Sequence, residues 1–149
     1  FQYGMPWAAA LIYANDGYTN YFLSATKTRQ VESLTRNPQV AATVNEDYHD
    51  WTKIKGIQLE GRAEPVTSEE ELGRAVEVYV TKYPFVRHYI RFMMSPFPKV
   101  VALLDKLARK LPWAPEFTAT PARFYRIVPT RLWFTDNEKG LGHRDELAL

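Results

Sequence analysis

The stretch Tyr21–Val44 constrains the fold most, because it combines two predicted strands, a polar turn and a short helix. Its sequence is YFLSATKTRQVESLTRNPQVAATV. Val31 and Leu34 fall on one face of the predicted helix, which gives that helix an apolar side. Asn37-Pro38 should end the helix near Arg36, because a residue before proline disfavours the helical conformation. We therefore expect a strand, a polar turn, a short helix and a second strand in this order.

The turn inside this stretch is rich in hydroxyl and basic side chains, namely Ser24, Thr26, Lys27, Thr28 and Arg29. Hydroxyls, a lysine, an arginine and the free N–H groups of a starting helix are the donors that a phosphate needs. The alternative is a plain helix N-terminus, with Thr28 or Thr26 as the N-cap and Arg29 at the surface. From the residues alone, this second interpretation is favoured.

Composition excludes several classes of protein. A length of 149 residues indicates one domain, and 46% hydrophobic with 14% aromatic residues is ample for a packed core. The formal net charge of +2 indicates a nearly balanced surface, so we expect no nucleic-acid partner. The absence of cysteine excludes disulfides, a thiolate nucleophile and a cysteine zinc site, and it suits a cytoplasmic protein.

The apolar runs and the start of the chain indicate whether it carries a membrane span, a secretory signal or preceding residues. No apolar run approaches the roughly 18 residues of a membrane-spanning helix, so we expect no membrane span, and no secretory signal is visible. The chain begins at Phe1, without methionine, inside what looks like structured sequence. We therefore expect further residues before Phe1 in the native protein.

A hairpin is predicted at the start of the chain. Phe1–Ala14 contains a nearly continuous apolar run, which predicts a strand buried on both faces. Asn15-Asp16-Gly17 is a strong hairpin signal, because Asn and Gly tolerate positive φ angles. The return strand is expected at Tyr18–Leu23, which leads directly into the polar turn.

The middle of the chain predicts two further strands and a helix. Gln39–Asn45 is a short β-rich segment, and Trp51–Pro65 alternates over a longer one. Two glycines in the longer strand suggest a bulge or the close approach of another backbone or a ligand. Thr67–Glu71 is a capping box that opens a helix through about Lys82. The expected apolar stripe of this helix consists of Leu72, Ala75, Val76, Tyr79 and Val80.

The last part of the chain begins with the aromatic and basic segment Phe85–Pro98 and an amphipathic helix at Lys99–Leu111. Such a helix usually packs on its own core, and the alternative is contact with a membrane surface or a partner. Strands are predicted at Ala122–Val128 and Arg131–Thr135, joined at Pro129. A loop that carries GLGHR follows Asp136-Asn137. Several strands in hairpin order with few helices predict an antiparallel barrel with helices at its edge.

Taken in order, these elements resemble the FMN-binding split β-barrel proteins related to pyridoxamine 5′-phosphate oxidase. The matching segments are Gly4-Met5-Pro6, YFLSATKTRQVESLTRNPQVA, WTKIKGIQLEGRAEPV, the glutamate-rich helix that ends in KYP, and RIVPTRLWFTDNEKGLGHR. The resemblance implies a mainly β (α+β) fold: a split antiparallel β-barrel with peripheral helices. All of residues 1–149 would form one FMN-binding domain, with a helical insertion near residues 85–117 that the resemblance does not cover.

The resemblance also implies a role for the polar turn, because the turn after the second strand binds the FMN phosphate in that family. The positions carried over are Thr28 and Arg29, with Ser24, Thr26 and Lys27 nearby. With the family order around it, the phosphate interpretation becomes the preferred one. Gln30 stands where the oxidases usually have lysine, and the strand up to Ala14 lacks their basic residues. The chain therefore resembles a relative of the oxidase and not the oxidase itself.

Relatives in this family form homodimers that hold each flavin between two subunits. In that arrangement Trp51, Lys53, Lys55, Gln58 and Trp133 could reach the partner's cofactor. Lys27 and Lys55 could equally be solvated surface lysines. Trp51 could instead be a core or interface aromatic residue.

No Ser-His-Asp order, paired acid motif or P-loop is present, so a bound cofactor would supply any catalysis. The function implied is that of an FMN-dependent oxidoreductase or flavin reductase for an unidentified small-molecule substrate. The alternative is a non-catalytic flavin- or haem-binding module, since members of the wider family bind FMN, a deazaflavin or haem. His143 in the GLGHR loop is the candidate haem ligand. The three histidines lack metal-ligand spacing, so no metal site is expected.

Overall fold

The structure is a computed structural model that describes residues 6–86, 90 and 122–149. The predicted helix Lys99–Leu111 and most of the predicted insertion near residues 85–117 lie outside the described residues. The same holds for Phe1–Met5, the beginning of the predicted first strand.

The described residues form six strands and two α-helices. The strands are β1 Tyr13–Asp16, β2 Thr19–Ala25, β3 Gln39–Asn45, β4 Lys55–Pro65, β5 Ala122–Asp136 and β6 Arg144–Leu147. The helices are α1 Arg29–Arg36 and α2 Glu69–Lys82. Short 3-10 turns lie at Trp51–Lys53, Pro84–Val86 and Asn137–Lys139.

All strand pairs are antiparallel, in the order β1-β2-β5-β4-β3. The long strand β5 is central: β4 pairs along one of its edges. Along the other edge, β2 pairs with the first half of β5 and β6 with the second half. The described sheet does not close on itself. This arrangement confirms the predicted split antiparallel barrel with peripheral helices.

The helix α2 covers one face of the sheet. Ser68 accepts a hydrogen bond from the Glu71 N–H at 3.2 Å, which confirms the predicted N-cap. Ala75 and Tyr79 are fully buried against Phe124 of β5 and other apolar residues of the sheet. The capped amphipathic helix is therefore packed on the face that its apolar stripe predicts.

The helix α1 covers the opposite face. Neighbouring residues of a strand point to opposite sides, so Phe22 faces α1 whereas Tyr21 faces α2. Phe22 stacks on Tyr125 with 5.4 Å between ring centroids, and Val31 of α1 packs on the pair. This contact holds the start of α1 next to the end of β2, and so it fixes the polar turn between them.

The first predicted strand is too long. The strand β1 begins only at Tyr13, and residues 6–12 form no regular structure and are largely exposed. Two tyrosine hydroxyls bond backbone carbonyls at the point where β1 begins. Tyr79 of α2 donates its hydroxyl to the Ile12 carbonyl at 3.2 Å, and Tyr83 donates to the Tyr13 carbonyl at 3.0 Å. The expectation of a strand buried on both faces is therefore wrong.

Two other strand boundaries differ from the prediction. Asp50 caps a 3-10 turn at Trp51–Lys53, so β4 starts at Lys55 and not at Trp51. The strand β5 continues through Pro129, which was expected to separate two strands. Pro129 lies opposite Gly61 at a register shift, where the ladder hydrogen bond that proline cannot donate is not needed.

The residues after His143 form a strand that the sequence did not predict. Arg144–Leu147 pairs with β5 as strand β6, following a turn in which the His143 N–H donates to the Gly140 carbonyl at 2.9 Å. Gly140 and Gly142 both adopt positive φ angles in this turn. The expected open loop is therefore a tight return onto the sheet.

Candidate functional site

The polar turn is held by hydrogen bonds among its own hydroxyl groups. Thr28 occupies the N-cap position of α1, but its side chain makes no capping bond. Its hydroxyl instead donates to the Ala25 carbonyl at 3.0 Å and lies 3.2 Å from the Ser24 hydroxyl. The alternative in which the Thr28 side chain caps the helix is therefore wrong, and no Thr28 side-chain bond occupies the first N–H groups of α1.

Gln30 belongs to the same cluster. Its amide nitrogen donates to the Ser24 hydroxyl at 3.2 Å, and Ser24 itself is only 6% exposed. The residue that replaces the expected lysine thus adds a neutral donor beside the turn. Sequence reasoning did not place Gln30 against Ser24, because the contact joins the end of β2 to the first turn of α1 across the polar turn.

Arg29 is the first residue of α1 and is half-buried. Its guanidinium carbon lies 4.0 Å from the centroid of the Trp7 ring, a cation–π contact. Within the part of the chain that the structure describes, its buried Nε has no hydrogen-bond partner. The same holds for Ser33 Oγ and Arg126 Nε. A buried donor without a partner calls for an explanation, and a bound acceptor is one.

The remaining two turn residues differ in exposure. Lys27 is exposed, whereas Thr26 is half-buried. Thr26 lies at the edge of an apolar groove of about 440 Å³ between α1 and the sheet. The other lining residues of this groove are Val31, Leu34, Thr35, Ala63, Pro65, Arg123 and Tyr125.

A second polar group lies on the far half of β5. Trp133 is half-buried, and the guanidinium carbons of Arg131 and Arg144 lie 4.6 and 5.3 Å from its ring centroid. Arg144 also donates to the side-chain oxygen of Gln58 at 3.0 Å, and Gln58 is directly opposite Trp133 in the sheet. The structure therefore joins the predicted Gln58 and Trp133 and adds two arginines to them.

Sequence reasoning missed Arg131 and Arg144 as members of this group. Arg144 stands in the GLGHR segment, which the sequence marked only as a loop. Its place beside Trp133 depends on the pairing of β6 with β5. Arg131 and Trp133 are two residues apart on one strand, a spacing that puts both on one face. That alternation was the one sequence signal that could have linked them.

Lys55 is the first residue of β4, and Trp51 lies in the 3-10 turn before it. Lys55 forms an ion pair with Glu138, and this hydrogen bond raises the pKa of the lysine. Trp51 is 62% exposed, and its carbonyl accepts a hydrogen bond from the Asn137 amide at 2.8 Å. The interpretation of Trp51 as a core residue is therefore wrong for the described chain.

The two groups of predicted residues are far apart within one subunit. Arg123 lies opposite Ser24 in the sheet, and Trp133 follows ten residues later on the same strand. At the usual rise per residue this is about 33 Å along the strand. The turn residues are thus brought together at one end of β5, and Gln58 and Trp133 at the other.

The sequence profile of the family described as pyridoxamine 5′-phosphate oxidase matches residues 2–105, more than half of the chain. The chain belongs to the pyridoxamine 5′-phosphate oxidase family. No protein with a curated description matched it.

Solved structures with the same fold accompany this match. A haem-binding protein from Mycobacterium smegmatis aligns with a TM-score of 0.67 at 15% identity, over 98% of this chain and 48% of that protein. An FAD-binding protein from Mesorhizobium loti aligns with a TM-score of 0.55 at 19% identity, over 88% and 77%. HutZ, the haem storage protein from Vibrio cholerae, aligns with a TM-score of 0.51 at 15% identity, over 82% and 71%. This member of the oxidase family thus spans about half the length of the Mycobacterium protein and shares its fold.

The candidate haem ligand of this family member, His143, has a carboxylate partner. Its Nε2 lies 3.0 Å from Asp145, which also accepts from Lys139 at 3.1 Å. The Lys139 ammonium and then the His143 ring hold the pKa of the Asp145 carboxyl below its ordinary value. Among residues 6–86, 90 and 122–149 there is no group of three or more side chains that could hold a metal ion. No helix in these ranges is long and apolar enough to cross a bilayer.

Proposed function

We propose that this protein binds FMN at the interface of a homodimer and is an FMN-dependent oxidoreductase or flavin reductase in the cytoplasm. Its substrate would be a small molecule, and residues 1–149 would form a single flavin-binding domain. The buried Arg29 Nε, which lacks a partner among the described residues, carries this proposal. Membership of the oxidase family supports the phosphate of FMN as the acceptor for this donor.

The polar turn fits the phosphate end of FMN. Arg29 supplies a charged donor, and the start of α1 supplies N–H groups without a side-chain cap. The Thr28 hydroxyl donates to the Ala25 carbonyl in the free chain and would turn from it to reach a phosphate. Lys27 is exposed beside them and adds positive charge. Phosphate binding at a helix N-terminus with an arginine alongside is favourable both in hydrogen bonding and in charge.

In this proposal, the residues that contact the flavin ring come from the second subunit. Trp133, Gln58 and Arg144 contact one another, but they lie about 33 Å along β5 from the residues opposite the turn. In a homodimer, the turn of one subunit would face the Trp133 group of its partner, with Trp51 and Lys55 at its margin.

In this proposal the flavin, when bound, supplies the hydride or electron transfer. The protein residues bind and orient it: Arg29 holds the phosphate, and Gln58 and Arg144 present polar groups on one side of Trp133. Contacts within the single chain already position Arg29 against Trp7 and Arg144 against Gln58. A deazaflavin with the same phosphate group would use the same turn.

A second candidate is a haem-binding module, which the pairing of His143 with Asp145 favours. A histidine that ligates iron commonly hydrogen-bonds a carboxylate through its other ring nitrogen. The similar folds of the Mycobacterium and Vibrio proteins, described as haem-binding and haem storage proteins, support this alternative. It predicts a Soret band that His143→Ala abolishes.

The test begins with the spectrum of the purified protein after addition of FMN. We expect a flavin spectrum that NADH or NADPH bleaches and that air restores. Arg29→Ala should weaken FMN binding about ten- to a hundredfold, the effect of losing a charge-assisted hydrogen bond. Arg36→Ala, at the other end of the same helix, is the matched control and should leave affinity unchanged.

The possible outcomes separate the candidates. A Soret band in place of flavin absorbance would favour the haem module over the flavoprotein. Flavin binding without any response to a nicotinamide donor would favour a non-catalytic flavin module. A protein that gains no spectrum from FMN or haem, or an Arg29→Ala variant that binds FMN as tightly as the wild type, would contradict the assignment of the turn.

A further inference from the structure

Trp7 lies directly against the side chain that carries the proposed function. It stands in the irregular segment before β1 and is 50% exposed, although it is a large aromatic residue. Its ring centroid is 4.0 Å from the Arg29 guanidinium carbon, which is a stacking distance. The segment that fails to form the expected strand therefore passes over the first residue of α1.

This contact leaves the donors of Arg29 available. An aromatic ring attracts a guanidinium through its face, whereas the five N–H groups lie in the guanidinium plane and point outward at its edge. The contact with the ring face restricts the side chain, and the face offers no oxygen or nitrogen acceptor that would occupy an N–H group. The buried Nε, unpartnered among the described residues, is one of these in-plane donors.

We propose that Trp7 is a positioning residue for phosphate recognition, since it holds the Arg29 guanidinium so that its edge faces the phosphate. This inference rests on the proposed function and adds to it a residue outside the polar turn. A free arginine side chain loses considerable rotamer freedom when it binds a ligand. By holding Arg29 in place beforehand, Trp7 lowers that cost, and it acts on the phosphate through Arg29 alone.

The test uses two ligands, FMN and riboflavin, which share the ring system and differ in the phosphate. Dissociation constants are measured by flavin fluorescence titration for the wild type, Trp7→Leu, Trp7→Phe, Arg29→Ala and the Trp7→Leu/Arg29→Ala double variant. Trp7→Leu keeps an apolar side chain but removes the aromatic face, and Trp7→Phe keeps a face. Thermal denaturation of each variant without ligand shows that it is folded.

We expect Trp7→Leu to weaken FMN binding about two- to fivefold, the fold-change that an exposed cation–π contact gives. Riboflavin binding should not change, and Trp7→Phe should retain most of the FMN affinity. In the Arg29→Ala background, Trp7→Leu should have no further effect, because its route to the phosphate is already gone.

Different contrary results would contradict different proposals. If Trp7→Leu weakens riboflavin as much as FMN, or acts equally in the Arg29→Ala background, Trp7 does not work through Arg29 and this inference is overturned. The same holds if the wild type prefers FMN and Trp7→Leu leaves that preference intact. A wild type that binds FMN no more tightly than riboflavin would remove the phosphate site itself, and with it both proposals.

Discussion

Glu71→Gln tests how α2 is fixed to the sheet. Both carboxylate oxygens of Glu71 accept from Nη1 of Arg126 on β5, at 2.8 and 2.9 Å. The hydroxyl of Tyr21 donates to the same carboxylate at 3.4 Å, and Arg126 also bonds Glu64 at 3.2 Å. The hydrogen bonds that Arg126 donates to Glu71 are the main cause that raises the pKa of Arg126. Glu71 therefore connects the helix to two neighbouring strands through charge-assisted bonds.

The expected loss of stability follows from the exposure of the pair. The side chains of Glu71 and Arg126 are 19% and 34% exposed, between a surface ion pair and a buried one. A surface pair contributes about 0–1 kcal/mol, and breaking a buried pair costs about 3–5 kcal/mol. Removing the charge from one partner of this intermediate pair should lower the free energy of unfolding by about 1.5–3 kcal/mol.

Glu70→Gln is the matched control, because Glu70 lies in the same first turn of α2. It pairs with Arg74 at 3.1 Å, and its side chain is 87% exposed. Both substitutions remove one negative charge near the helix N-terminus, so their interactions with the helix dipole cancel in the comparison. Apart from the dipole contribution that both variants lose, the control should cost only about 0.2–0.5 kcal/mol, the contribution of an exposed pair one turn apart.

Urea unfolding followed by circular dichroism measures both variants. With a typical slope for a small domain, Glu71→Gln should lower the urea midpoint by about 1 M, and Glu70→Gln by much less. If the two variants unfold at midpoints that agree within error, the contact with Arg126 contributes nothing measurable. The reasoning from burial would then be refuted.

Two further predictions concern close packing and acid stability. Gly61→Ala should destabilise by about 1–3 kcal/mol, because an added Cβ would overlap the backbone of β5. Gly73→Ala, in open space on α2, should stabilise by about 0.5–1 kcal/mol, and equal urea midpoints for the two would contradict this. The lowered pKa of Asp145, caused first by Lys139, means that the native state binds fewer protons and gains stability above the unfolded-state pKa. With Asp145→Asn, the free energy of unfolding should therefore fall less steeply as the pH drops below about 4. An unchanged slope of that free energy against pH would refute this prediction.

The sequence predicted the elements whose signals are local. Gln39–Asn45 is a strand with the predicted bounds, and α2 begins after Ser68 and ends at Lys82 as its capping box and Tyr83-Pro84 indicate. Gly17, in the predicted hairpin, has a φ of 56°. These features depend on residues within a few positions of one another, where capping and turn chemistry outweigh the rest of the fold.

The errors arose where a distant partner decides the structure. An apolar run before Tyr13 predicted a strand, but residues 6–12 lie exposed outside the sheet, and Tyr79 and Tyr83 bond the Ile12 and Tyr13 carbonyls where β1 begins. Pro129 predicted a strand break, but the opposing Gly61 allows a register shift that accommodates proline within one strand. In both cases the deciding residue is more than sixty positions away in the chain.

The same division applies to the candidate site. The turn from Ser24 to Arg29 is contiguous, so its residues could be grouped from the sequence, and the structure places them together. The Trp133 group draws on three strands, and Arg144 enters it only because β6 returns onto β5. The long strand that assembles the second group also holds it about 33 Å from the first along its length. If one flavin contacts both groups, the proposed homodimer would bring the turn of one subunit to the Trp133 group of the other, as the family resemblance implies.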